Sequence, residues 1–466
     1  MNTVAIVGGG FSGTVLAARL LQAVPALHVV MIHRGHEAGS TNSLGRGLAY
    51  GTRSEAHLLN VPAGRMSAVP EDGDSFLRYL RNSGLDADGG SFVARHRYGA
   101  YLGACLETAE QNRTAGATFT LRRGEVIDLE RIGDRTRLLL DDGSTLEADR
   151  VVLAVGNFAP SDPQIADAGL YSSSHYLRDP WSPGAIEQVD RTRPVLLLGT
   201  GLTMFDVAQS LAAGNPKIRL IAISRRGAMP HAHRRVPHAP DFAHAPAHIV
   251  TGAATARAYL RAVRTEVTRL AADGIDWREV IASLRPLTSQ LWQRLPPSER
   301  KRFLRHLRPY WDVHRHRAAP ETAEAMLRLI AAGQLQVRAA RLIAGNDTGA
   351  GLQLTIRPRG DTRVEALTVG TVINCTGPTS DFRAAGERLL CRLESRGDIA
   401  QDRLHLGVEI DADGHLLDRR GRPQPHWHCI GPLRKARDWE AVAVPELREQ
   451  VREVAAAIVN SFATKS

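Results

Sequence analysis

Two glycine clusters, Gly8-x-Gly10-x-x-Gly13 and Gly199-x-Gly201, can bring bare backbone against a phosphate, and the pair Arg225-Arg226 can grip one. Gly8 permits a sharp turn, Gly10 removes the side chain that would hold a phosphate away, and Gly13 lets the following helix lie close to its strand. The free N–H groups and the positive dipole end of such a helix suit the pyrophosphate of a dinucleotide. Arg225 and Arg226 suit an adenosine 2′-phosphate, which Asp or Glu would repel; the other reading is two surface arginines in an arginine-rich chain. A further candidate stretch runs through Gly45–Thr52 and His57–Ala68, where Arg46 and Asn60 stand among Gly and Pro. It reads either as a structured loop at the carboxyl end of a parallel sheet or as a flexible surface loop.

Other chemistries lack their residues. Cys105, Cys375, Cys391 and Cys429 never approach a C-x-x-C spacing, so neither a disulfide framework nor a dithiol redox centre is encoded locally. His314 and His316, at i and i+2, share a face in a strand but not in a helix. With no clustered carboxylates beside them, or beside His231, His233, His238, His244 and His248, no metal site is expected.

The elements that must position these groups are legible around them. Val4–Val7 predicts a buried parallel strand and residues 12–22 a helix; His28–Ile32 is the next strand, closing on His33 about twenty residues past Gly13. A ribose-binding acid belongs there, but the residues are His33 and Arg34, with Glu37 the nearest carboxylate. Either Glu37 or backbone groups replace the acid, or Arg34 contacts the adenine or a phosphate.

The same order returns at Pro194–Leu198, with a helix to about Ala213 and a strand over residues 218–223. Met204 stands where the third glycine would be and should hold that helix further from its strand. Short strands over residues 118–155 close on Gly156, and a matching set over 335–374 closes on Gly377, an internal duplication of architecture. The expected fold is α/β, with two Rossmann-like dinucleotide-binding domains in a three-layer ββα arrangement and a helical insertion in the second. The segments are residues 1–187, 188–377 and 378–466. The insertion spans about residues 231–332, with helical spacing at 259–271, 277–284, 287–294 and 298–307, the last opened by a Ser298-Glu299 cap.

The formal charge of +10 raises nucleic acid as a partner, but only four of 59 basic residues are lysines and the arginines interleave with 49 acids. No nucleic-acid partner is expected. No charged leader precedes the first strand and no run of 18 apolar residues occurs, so a cytoplasmic protein without a membrane span is expected.

Taken together, GGGFSG (8–13), GRGLAYGT and HLLNVPAGRMSA (45–68), LAVGN (153–157), GTGLTMFD and SRRG (199–227), RPYWDVHRHRAAP (308–320), INCTGP (373–378) and WEAVAVPELR (439–448) resemble the bacterial FAD/NAD(P)-binding protein group, related to the class B flavoprotein monooxygenases. The resemblance spans nearly the whole chain. It implies FAD held by Gly8, Gly10, Phe11, Ser12 and Gly13, with Arg34 and Gly156 nearby, and Gly431 and Pro432 beside the flavin. It implies NADPH held by Gly199, Gly201, Arg225 and Arg226, with Thr203 and Gly377 as further cofactor-binding residues, and a final helix, opening at Pro445, aimed at the flavin pyrimidine. Gly169, His175 and Trp181 are similar to a monooxygenase linker signature with altered spacing.

The implied activity is an NADPH-using monooxygenase in which a flavin hydroperoxide, formed with molecular oxygen, hydroxylates a small nucleophilic nitrogen or sulfur substrate. Arg46 and Asn60 are the candidate catalytic residues. The alternatives are an NAD(P)H-dependent reductase of a small organic acceptor and a non-catalytic flavin-binding sensor or partner-binding protein.

Overall fold

The computed structural model of the protein describes residues 1–35, 44–167, 169–235 and 246–463. Glu37, His238 and His244 lie outside the described residues.

The chain begins with β1 (Asn2–Val7), buried along its length after Asn2. β2 (Leu27–His33) and β3 (Thr118–Arg123) extend it in parallel register. An antiparallel meander of β4 (Val126–Ile132), β5 (Arg135–Leu140) and β6 (Thr145–Ala148) leads into β7 (Arg150–Leu153), which returns beside β1. A second sheet opens with β8 (Tyr176–Leu177), continues through β9 (Val195–Leu198), β10 (Leu220–Ser224) and β11 (Leu335–Asp347), and ends with β12 (Leu352–Pro358), β13 (Glu365–Val369) and β14 (Thr371–Asn374). β15 (His415–Leu417) and β16 (Pro423–Cys429) then rejoin the first sheet. Its order is β15-β16-β7-β1-β2-β3, and that of the second is β13-β12-β11-β10-β9-β14-β8. β8 precedes residue 188, yet it pairs in parallel with β14 of the second sheet.

Strand alternation assigns the layers. Val4 and Ile6 pack against the helix Phe11–Ala23 and the C-terminal helix Val444–Ala463, while Ala5 and Val7 face the meander and Trp427. The second sheet repeats this: Val195 and Leu197 meet Met204, Phe205 and Val207 of the helix Leu202–Ala212, and Leu196 and Leu198 meet β12. The fold is therefore α/β with two Rossmann-like halves, each a helix layer, a largely parallel sheet and an antiparallel flap. The duplication read from the sequence is present in three dimensions.

Seven described helices between Ala247 and Ala331 form the insertion. Its ends are joined: His233 N–H donates to the Ala318 carbonyl at 2.9 Å and Ala318 N–H to the His231 carbonyl at 2.9 Å. Its far side packs on the returning first half, where Trp292 stacks on Trp439 at 4.7 Å and donates to the Ala436 carbonyl at 2.9 Å.

Two sequence expectations change here. The helix expected at residues 298–307 begins at Pro297, so its N-cap is Pro296, whose side chain cannot accept a hydrogen bond, while the Glu299 carboxylate accepts the Ala256 N–H at 2.9 Å, at the start of the helix Ala256–Ala271. Residues 308–315 are a helix, so His314 and His316 separate. The His314 ring lies 4.5 Å from that of His231, whereas His316 approaches Glu440 at 3.7 Å.

Candidate cofactor and active site

The two glycine turns are near copies. Gly8 and Gly199 both adopt φ of +114°, and a Cβ at either would sit 2.3 Å from the Ala154 carbonyl oxygen or 2.4 Å from that of Cys375. Only glycine allows that approach between the turn and the neighbouring strand end. At Gly13 a Cβ would lie 1.9 Å from the Gly8 carbonyl oxygen. Gly10 and Gly201 flank their helices with φ/ψ of −79°/−164° and −84°/−167°, and neither makes a side-chain cap bond. The first N–H groups of each helix, including those of Phe11, Ser12 and Thr203, are thus left for an anionic ligand. Met204 replaces the third glycine and is fully buried in the second core.

Around the first turn the chain closes from distant positions. Gly45 N–H donates to the Gly9 carbonyl at 2.9 Å, and a Cβ on Gly10 would come 4.0 Å from Gly47 Cα. Gly431, at φ +95°, donates its N–H to Gln450 Oε1 at 2.9 Å, and a Cβ there would be 3.5 Å from Ser12 Oγ. Pro432 opens the short turn that follows, and Pro445 lies in the first turn of the C-terminal helix.

Residues 45–68 form a structured loop. Leu59 and Ala63 donate backbone bonds to the Val93 and Ser91 carbonyls at 2.8 and 2.9 Å, and a Cβ on Gly64 would meet Gly89 Cα at 2.9 Å. The Arg46 stem packs on the helix Arg95–Gln111, where a Cβ on Gly99 would touch Arg46 Cγ at 2.9 Å. Half-buried Asn60 has its carbonyl fixed by the His233 ring at 3.0 Å.

Arg34 pairs with Glu387 at 2.7 Å and Glu125 at 3.4 Å. Two carboxylates from far along the chain therefore converge beside the strand end that lacks its own acid. Gly156 and Gly377 both adopt positive φ directly after β7 and β14, with open space where a Cβ would be.

Past the end of β10, the strand that pairs with β9, lies a cavity of about 460 Å³ lined by Arg225, Arg226, Arg305, Arg341, Arg357 and Arg359, with Asp361 as the one acid of its lining. Arg226 is committed within the protein: it stacks over Tyr310 at 4.6 Å, donates to the Tyr310 hydroxyl at 2.9 Å and reaches the His306 carbonyl. Arg225 has no such partner among the described residues, and its pKa is lowered by partial burial and by Arg341, Arg308 and Arg226. That cluster of like charge fits an anion of high charge density.

Two polar knots missed by sequence reasoning join the halves. His57 touches Ser210 Oγ at 2.9 Å and the Asp206 carbonyl at 3.1 Å, and Arg95 pairs with the Asp206 carboxylate at 2.8 Å. Burial raises the Asp206 pKa against the pull of Arg95 and His57, and burial lowers that of His57. In the second knot, Glu440 accepts from Trp311 Nε1 at 2.8 Å and faces Arg315 and His316, and Glu446 binds Arg285 and Arg315. Burial works to raise the Glu440 pKa, but His316 and Arg315 prevail and hold it below the usual carboxylate range. The motif at residues 308–317 thus clasps the entry to the C-terminal helix. Asp206 and Glu440 do stand within motifs that the sequence singles out, yet nothing in spacing names partners more than a hundred residues away.

Residues 5–158, about a third of the chain, match the family model described as FAD-NAD(P)-binding. No curated protein matches the sequence. Among solved structures the chain resembles a Kutzneria sp. 744 ornithine N-hydroxylase solved with reduced FAD, NADP⁺ and L-ornithine, at 17% identity and TM-score 0.64, covering 98% of this chain and 99% of that one. It also resembles the reduced ornithine hydroxylase of Pseudomonas aeruginosa (17% identity, TM-score 0.65, 99% and 100% covered). The L-lysine 6-monooxygenase of Pseudomonas syringae is similar to the same degree (16%, 0.65, 100% and 99%). The fold is that of the two-dinucleotide-binding flavoproteins.

Proposed function

We propose that the protein is an FAD-dependent, NADPH-using monooxygenase that hydroxylates a nucleophilic nitrogen or sulfur of a small molecule. The observation that carries this is the pair of matched glycine turns, each opening an uncapped helix N-terminus, with an arginine-lined cavity past the end of β10 in the second half. The residues fit both groups. Gly8–Gly13, Ser12 and Gly431 would hold FAD, and Gly199, Gly201, Thr203 and Arg225 would hold NADPH. When bound, the two cofactors supply hydride and activate oxygen; overall, substrate, O₂, NADPH and a proton give hydroxylated substrate, NADP⁺ and water.

The protein's own part is placement and shielding. The C-terminal helix would present its N-terminus to the bound flavin, and its first-turn Glu446 is neutralised by Arg285 and Arg315. The loop holding Asn60 would shield the bound flavin from water, and Asn60 and Arg46 would be the hydrogen-bond donors toward the activated oxygen. All four cysteines are free, which favours oxygen over a disulfide as the oxidant. The similar hydroxylases of ornithine and lysine support an amine nitrogen as the acceptor. No described helix is long and apolar enough to cross a membrane.

The test is the visible spectrum of the purified protein, followed by oxygen uptake under NADPH with a panel of amines and thioethers. Substrate-stimulated uptake without matching hydrogen peroxide is expected, and Asn60→Ala should raise peroxide release. A flavin that neither NADPH nor NADH reduces would overturn the reading.

A further inference from the structure

A second cavity, of about 240 Å³, lies between the loop at residues 62–92 and the roots of the insertion. Pro62, Ser91 and Phe92 form one wall, and Arg278 and Arg317 lie on the other. It adjoins the Asn60 loop through His233, which lines the cavity, bonds the Asn60 carbonyl and packs at a tilt against Phe92, ring centres 5.0 Å apart.

The lining cations differ in what they are doing. Arg278 is held by Asp276 at 3.1 Å and by the Ala232 carbonyl, and it stacks over Trp277 at 4.5 Å. Arg234 reaches Asp276 and Glu279, and Arg235 pairs with Glu324. Arg317 has none of this. It makes no hydrogen bond or ion pair among the described residues, its Nε is buried without a partner, the Trp277 ring stands 6.0 Å away, and Glu279 acts on it only from beyond ion-pair distance. Burial, then Arg278 and Arg315, push its pKa down to about 10. A guanidinium in such a place, with Glu279 beyond ion-pair distance, has no counter-charge in contact with it among the described residues. Arg225, at the 2′-phosphate cavity, carries the same signature.

We infer that this cavity is an anion-binding site, distinct from both dinucleotide sites, in which the Arg317 fork takes the carboxylate of a small molecule. Asp88, Glu279 and Glu321 on the same lining oppose a dianionic phosphate and leave room for a single negative charge. The site stands on this geometry alone; only the naming of its occupant as the molecule to be hydroxylated rests on the proposed function. Helix 308–315 ends two residues before Arg317, so the motif that clasps the C-terminal helix also sets the position of the fork.

The test uses the full-length flavin-loaded protein with saturating NADP⁺, which covers the Arg225 cavity. Phenylglyoxal modification of Arg317 is followed by peptide mass spectrometry with butyrate, inorganic phosphate or sodium chloride at matched ionic strength. Butyrate should slow modification at least threefold, with phosphate no better than chloride. Protection by butyrate equal to that by chloride overturns the site, and equal protection by phosphate overturns the carboxylate assignment. Because Arg317 is unpaired, Arg317→Met should keep the melting temperature of the parent. A fall of several degrees, with rescue by Arg317→Lys, would reveal a structural role instead. In turnover, Arg317→Met should raise KM for carboxylate-bearing substrates at least tenfold and leave KM for NADPH unchanged. Protection without any NADPH oxidation would uphold the site and overturn the monooxygenase reading; turnover without protection would do the reverse.

Discussion

At the scale of single residues, the proposed coenzyme choice rests on one arginine and the glycine turns rest on backbone that only glycine adopts. Arg225 faces the cationic cavity unpaired, while Arg226 is tied to Tyr310 and His306, so the two should not respond alike. Arg225→Ala is expected to weaken NADPH binding about 10–100-fold, the loss of roughly 1.5–3 kcal/mol for hydrogen bonds to a charged group, with NADH little affected. Arg226→Ala should lower both coenzymes together, by loosening the helix Arg308–Arg315. Equal and selective loss in both variants, read by coenzyme titration, would contradict this division. At Gly8 the φ of +114° alone costs a substituted side chain about 1–3 kcal/mol, before the collision with the Ala154 carbonyl. Gly8→Ala should therefore purify without flavin, as its absorption spectrum would report.

Between elements, the contact to watch is the buried pair joining the helix Arg95–Gln111 to the helix Leu202–Ala212. Arg95 and Asp206 are both largely removed from water, with side-chain exposures of 18% and 3%. Removing one partner strands the other: Arg95→Ala should cost about 3–5 kcal/mol in denaturant unfolding, whereas Arg95→Met with Asp206→Leu should recover most of it. This pair fastens the second glycine-turn helix onto the loop carrying His57 and Asn60, so the single variant should also impair coenzyme use.

On the scale of the whole molecule, buried histidines set the response to acid. His428 on β16 is 1% exposed, neither ring nitrogen has a hydrogen-bond partner among the described residues, and burial, then His415, Arg150 and His426, lower its pKa to about 3. The ring is neutral in the folded protein, while the unfolded chain takes up a proton near its ordinary value of 6.5. Stability from this group is therefore complete above pH 6.5 and is lost as pH falls toward 3, at about 1.4 kcal/mol per pH unit. His428→Phe should narrow the difference in melting temperature between pH 7.5 and 5; an unchanged difference would show that the ring does not titrate on unfolding. His57, His231 and His316, also lowered chiefly by burial, act in the same direction.

Local backbone chemistry was readable without coordinates. Apolar runs of period two or less, broken by glycines that no other residue can replace, identify both dinucleotide halves, because a strand–turn–helix junction is specified within a dozen residues. The helical character of the insertion follows from spacing alone, for the same local reason. What the tertiary structure decided is which charges meet: Arg34 with Glu125 and Glu387, Arg95 with Asp206, Glu440 with Trp311 and Arg315, and Arg317 in no ion pair among the described residues. In a chain with 59 basic residues and 49 acids, composition offers each arginine many possible partners. Only the folded path brings one acid within ion-pair distance or leaves a guanidinium unpaired.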